Sequence, residues 1–223
     1  MKPWERLGEA RTPDGKPMTL TRRDTEYLIL IGKETLMTNR SHESEDALAR
    51  LACEPLRRAQ KPTVLIGGLG MGFTLRAALD CLPADATVIV AELLPEVVEW
   101  NQGVLGPLAG HPLSDPRVKV VVSDVRVVVA SSEAVFDAIL LDVDNGPEAF
   151  ATSANAGLYS DTALFALRKA LKFGGMLAVW SVWADKHFPH RLQYAGYKVR
   201  TEHVRGRIKR GGHRHVIYLA TNG

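Results

Sequence analysis

The sequence predicts an α/β protein with a Rossmann-like, doubly wound sheet. That sheet is mainly parallel, ends in a C-terminal antiparallel hairpin and follows a small N-terminal β extension. Three observations carry this prediction. Short runs that are apolar on both faces alternate with helical patterns between residues 63 and 180, as in a parallel sheet covered on both sides. The first run, Val64-Leu65-Ile66, enters a glycine cluster, Gly67-Gly68-Leu69-Gly70-Met71-Gly72, and leaves it into a helical pattern at Leu75, Ala78 and Leu79. The next three runs each deliver an acid at the C-terminal end, where ligands of such sheets bind.

Taken in order, residues 1–17 hold Pro3, Gly8, Pro13, Asp14, Gly15 and Pro17 and read as an arm or loop with turns. Strand character begins at Met18 and runs to Met37. Leu20 and residues 27–31 favour β structure, and Gly32-Lys33 suits a hairpin turn before Leu36. Such a unit is too short to fold alone. Ser41 fits a helix N-cap, with Glu43, Glu45 and Asp46 in the first turn, where the helix dipole favours acids. Leu48, Leu51, Ala52 and Leu56 continue at helical spacing, and Pro62 marks the exit. The arm and β unit are assigned to residues 1–40 and the main domain to residues 41–223.

Beyond the glycine cluster, a helix around residues 75–81 leads through Pro83 to a strand at 87–91. A helix at 95–101 carries proline in its tolerant first turn. A Gly/Pro-rich connection, 103–116, precedes a strand at 118–122. Residues 125–130 are β-branched but are assigned to a short helix or turn. A strand at 138–141, with Phe136 just before it, is followed by a helix at 161–172 that Gly174-Gly175 ends. The fifth strand is 176–180. Residues 197–204 and 215–220 form the last two strands around a basic turn, Arg205 to Gly212.

A chain of 223 residues suits one domain with a sizeable core, and 46% hydrophobic with 24% charged residues is ordinary for a soluble globular protein. The apolar runs are too short to cross a bilayer, and the first residues lack a signal-peptide core, so a cytoplasmic protein without membrane contact is expected. Cys53 and Cys81 have neither metal-ligand spacing nor disulfide density and read as buried thiols. The net charge of +3 hides an asymmetry: between Lys198 and His215 lie seven Lys/Arg against the single acid Glu202, leaving about −3 for the remainder.

Gly68-x-Gly70-x-Gly72 differs from the G-x-G-x-x-G of dinucleotide enzymes, so a pyrophosphate site is not implied. Glu92, 20 residues after Gly72, suits the paired hydroxyls of a ribose. Asp124 suits the exocyclic amine of an adenine. Asp142, with Asp144 nearby, faces the reacting end. Together these positions read as a nucleoside site.

The segment from Val64 to Trp180 resembles a class I AdoMet-dependent methyltransferase and, more narrowly, the spermidine synthase-like branch of that superfamily. Its markers are the glycine turn, Asp115-Pro116-Arg117-Val118 leading to Ser123-Asp124, the run Phe136-Asp137-Ala138-Ile139-Leu140-Leu141-Asp142, and Leu158-Tyr159-Ser160. The β unit and the helix after Ser41 match the branch's N-terminal extension, so the resemblance covers residues 18–182. It implies a donor that is S-adenosyl-L-methionine or decarboxylated S-adenosylmethionine, with no metal. Gly68, Gly70, Gly72, Glu92 and Asp124 would hold that donor, Asp142 would assist deprotonation of an acceptor amine, and Asp144 would orient it. Acceptor contacts fall to His42, Glu45, Tyr159 and Trp180.

The departures are specific. Leu69 or Met71 stands where the family carries an Asp, the acidic loop after Asp142 is short, and His42, Ser44 and Glu45 replace a Tyr-His pair. The basic turn lies at the ligand edge, where a cationic lip attracts anions such as carboxylate or phosphate. No aromatics interleave with it, which disfavours nucleic acid, and His213 and His215 read as surface or strand residues. Methyl transfer to a small acceptor is therefore slightly favoured over aminopropyl transfer to an amine. A non-catalytic nucleoside-binding protein, dimerising through its β extension, is the rival class, and a homodimer is expected in either case.

Overall fold

The computed structural model describes residues 2–143, 157–205 and 214–223. Strands β1 (Glu5–Arg11), β2 (Pro17–Arg23), β3 (Glu26–Ile31) and β4 (Glu34–Thr38) form an antiparallel sheet in that order. The first seventeen residues are thus no arm. Their turn residues close a hairpin, with Thr12 N–H donating to Lys16 O at 3.0 Å, and the flanking chain pairs from Arg11↔Pro17 to Glu5↔Arg22. Gly8 sits at a bulge in β1, and its missing side chain admits the Trp100 indole, which docks the hairpin on the main domain.

Helix α1 (Glu43–Cys53) starts one residue later than expected. His42 is its N-cap and makes no capping bond, but Glu43, Glu45 and Asp46 occupy the first turn as anticipated. A seven-stranded sheet follows, built from β5 (Thr63–Gly67), β6 (Thr87–Glu92), β7 (Val118–Val122), β8 (Phe136–Leu141), β9 (Leu171–Ser181), β10 (Tyr197–Arg205) and β11 (Arg214–Asn222). Its order is β10-β11-β9-β8-β5-β6-β7. Strands β5 to β9 pair in parallel, while β11 runs antiparallel to both β9 and β10, so the expected hairpin is present. The chain order reverses between β5 and β8, the point where doubly wound sheets open a ligand crevice.

Helices α1, α2 (Phe73–Cys81) and α3 (Pro95–Gln102) cover one face together with the N-terminal sheet, burying Leu20, Ile29, Leu48, Leu75, Leu79 and Val97. Helices α4 (Val125–Ala130), α5 (Asp161–Ala170) and α6 (Phe188–Tyr194) cover the other with Val129, Leu164, Leu167 and Leu192. Gly174-Gly175 is not a helix stop. Strand β9 begins directly after α5, and the glycine pair lies inside it at a register shift against β8. Gly174 has φ +77°, and a Cβ on Gly175 would lie 2.9 Å from Lys172 O, so the pair forms a strand bulge that only glycine fits. Cys53 and Cys81 are buried free thiols, and burial raises both above the usual thiol range. No helix among the described residues is long and apolar enough to cross a membrane.

Candidate functional site

Three elements converge at the C-terminal edge between β5 and β8. The turn after β5 places Gly68, Gly70 and Gly72 at φ of +87°, +51° and +82°, all in the left-handed region that glycine adopts without strain. Its peptide groups are held from behind. Glu92, at the end of β6 and 7% exposed, accepts from Leu69 N–H at 2.8 Å and from Leu94 N–H at 2.9 Å. Asn101 of α3 donates to Gly70 O at 2.8 Å. From the N-terminal sheet, Met37 reaches over the turn, with its sulfur 2.9 Å from where a Gly70 Cβ would be. The N-terminal strands therefore wall the turn, a role that no local pattern announced.

Asp142 follows β8 directly. Its N–H donates to Gly67 O at 3.0 Å, and its carboxylate Oδ2 accepts from Thr74 Oγ1 at 2.5 Å. Burial raises its carboxyl to about 6, opposed by the Thr74 bond. Glu45, 8% exposed on α1, is pushed up to about 7, first by burial and second by the Asp142 charge, while the Ser44 hydroxyl bonded to it acts the other way. The charge of Asp142 thus bears on a carboxylate from a distant segment. Buried acids that crowd one another hold a proton near neutrality, the condition for proton transfer at that pH.

The remaining expected positions divide. His42 stacks on Phe73 at 4.2 Å and bonds Asp46 at 3.1 Å, which ties the start of α1 to the first turn of α2. Trp180 follows Val179, the partner of Leu141, so its backbone stands beside Asp142 at the sheet edge. Its ring stacks on His215 at 4.9 Å, and its indole N–H is buried without a hydrogen-bond partner among the described residues. Asp124 caps α4 through Arg126 N–H at 2.8 Å and pairs with the Arg126 guanidinium at 2.5 Å, which holds its carboxyl below the usual range. Any base amine would share Asp124 with Arg126. Tyr159, expected as an acceptor contact, is 2% exposed and packs edge-on against Phe188 in the second core. Asp144 and the basic turn lie outside the described residues, although Arg205 and Arg214 face each other in register where that turn begins and ends.

Several family markers prove structural. Asp115 binds the Arg117 guanidinium at 2.8 and 2.9 Å, and Arg117 donates to Leu82 O at 2.9 Å, fixing the entry to β7. Asp137 accepts from Thr63 N–H and Lys172 Nζ, both at 2.7 Å, which ties β8 to β5 and β9.

The family described as the spermine/spermidine synthase domain matches residues 47–201. A polyamine aminopropyltransferase from Korarchaeum cryptofilum is 31% identical over 118 residues, covering 53% of this chain and 35% of that protein. The matched part is thus about a third of the relative's length. Among solved structures, the spermidine synthase of Thermotoga maritima aligns with a TM-score of 0.75 at 20% identity, covering 98% of this chain and 73% of that one. A spermidine synthase in complex with the transition-state analogue AdoDATO gives 0.75 at 18% identity, covering 98% and 72%. A probable spermidine synthase from Corynebacterium glutamicum gives 0.65 at 16% identity, covering 98% and 80%. These structural likenesses establish the fold. The expected preference for methyl transfer finds no support in these matches, which favour its aminopropyl alternative.

Proposed function

Because the chain belongs to the spermine/spermidine synthase domain family, we propose that it transfers an aminopropyl group from decarboxylated S-adenosylmethionine to a small amine. The observation that carries this reading is the buried Asp142 at the end of β8, packed against Gly68 of the glycine turn and bonded by Thr74, with its charge felt by Glu45. An amine arrives as an ammonium ion. Two neighbouring acids attract that charge, and one of them then accepts the proton that must leave before nitrogen can attack.

The step balances as follows. The amine lone pair forms a bond to the donor's methylene carbon, the carbon–sulfur bond breaks with its electrons going to sulfur, and a neutral thioether departs. The amine's proton passes to Asp142. Because burial makes Asp142 ionise closer to neutrality than an exposed acid does, it is a stronger base than such an acid. The protein otherwise contributes position: the glycine turn is assigned to the donor, Glu92 to its ribose and Asp124 to its base. On this reading residues 41–223 are the transferase part and residues 1–40 supply a wall. Asp144 is assigned to orienting the amine.

Incubation with each sulfonium donor in turn and a diamine, followed by mass spectrometry of the products, tests the reading. Aminopropylated product from the decarboxylated donor alone is expected. Tight binding and turnover of AdoMet alone would overturn it.

A further inference from the structure

Thr74 does not belong to the glycine turn or to any expected acceptor set, yet among the described residues it holds the shortest hydrogen bond to Asp142. It lies in the first turn of α2, is 3% exposed, and its hydroxyl sits 2.5 Å from Asp142 Oδ2, 68 residues away in the chain. We infer that Thr74 is a positioning residue for Asp142: it ties up one carboxylate oxygen and leaves the other to meet the acceptor's proton. The inference rests on the transferase reading for its catalytic consequence, but not for the hydrogen bond itself.

The physical case has three parts. A hydroxyl donating to a carboxylate favours the ionised form, which counters the burial that favours the protonated one. A β-branched side chain has few χ1 options, and burial keeps the hydroxyl from turning to water, so the bond also fixes the direction of the carboxylate. The surroundings reinforce that placement. Gly72, two residues earlier, caps α2 in the left-handed region, and Phe73, one residue earlier, stacks on His42. Three consecutive residues therefore join the donor turn, the start of α1 and the base. Among the described residues, the other titratable groups bearing on Asp142 are Glu45 and, through Glu45, Asp46, both on α1. Neither donates to Asp142 as Thr74 does.

Thr74→Val keeps the shape and deletes the donor, whereas Thr74→Ser keeps the donor. Carbon-detected NMR titration of the side-chain carboxyl that vanishes in Asp142→Asn reads the contact without turnover. In Thr74→Val the midpoint should rise by about one pH unit, in line with loss of a hydrogen bond to a charged group. Thr74→Ser should restore most of the shift. In turnover assays the acidic limb of kcat/KM for the amine should move with the NMR midpoint, with the donor Kd little changed. An unmoved midpoint in Thr74→Val, or a Thr74→Ser protein that behaves like it, would overturn the inference. A shifted midpoint in a protein with no aminopropyl transfer would leave the contact standing and remove the transferase reading.

Discussion

A Cβ on Gly68 would sit 2.5 Å from the carbonyl oxygen of Asp142, so the glycine turn and the residue after β8 touch backbone to backbone. The glycine turn and the segment leaving β8 are packed as one unit. Any side chain at Gly68 must also hold φ of +87°. Gly68→Ala should therefore lose about 2 kcal/mol or more of stability, from left-handed strain and a clash with main chain that cannot yield. Urea denaturation measures this, and a loss within about 0.5 kcal/mol, the ordinary scatter of surface changes, would mean that the turn relaxes.

Asp142→Asn keeps an acceptor for Thr74 but no longer takes a proton. Turnover should fall by roughly 10²-fold or more, with donor affinity nearly unchanged by calorimetry. Full activity in this variant would end the assignment of Asp142 as base.

Folded-state acidity gives a signed prediction about pH. Burial raises Glu45 to about 7 and Asp142 to about 6, above their ordinary carboxylate values, so between these limits the folded chain binds protons more tightly than the unfolded chain. The pair's contribution to stability is therefore greatest at the acid end and declines as pH rises toward 7. Glu45→Gln should flatten that decline and gain about 2 kcal/mol over the parent at pH 8 relative to pH 5. Thermal unfolding at both values tests this, and parallel pH profiles would contradict it.

Asp124 has two roles that variants separate. Asp124→Ala removes both the α4 cap and the charge, and should cost about 1 kcal/mol of stability as well as donor affinity. Asp124→Asn retains the cap and should cost less stability while still weakening the donor. Equal donor affinity across parent, Asn and Ala proteins would place the base elsewhere.

Legibility in the sequence followed the range of the interaction. Strands β5 to β8, the glycine turn and the acids after them are local patterns, and each was readable from apolar runs and punctuation. The terminal hairpin was readable for the same reason. Strand β1 was hidden because Pro13 and Gly15 also suit a loop, and only its partner β2 makes it a strand. Gly174-Gly175 looks alike as a helix stop and as a bulge until the neighbouring strand is present. Met37 over Gly70 and Thr74 on Asp142 join residues 33 and 68 apart, pairings that local spacing does not encode. The Asp124–Arg126 contact is local, and a cap residue two before an arginine could have revealed it. The packing of Tyr159 against Phe188 is not legible either, because a motif position says nothing about which way a ring packs.

The bonds from Leu69 N–H to Glu92 and from Asn101 to Gly70 O have a thermodynamic consequence. Two turn peptides are anchored by side chains that are themselves nearly inaccessible to water, so the turn is rigid before anything binds. Its ordering entropy is lost during folding and is not charged again at association. Donor binding should thus proceed with little backbone rearrangement, and affinity within this framework becomes a matter of fit to a preset surface.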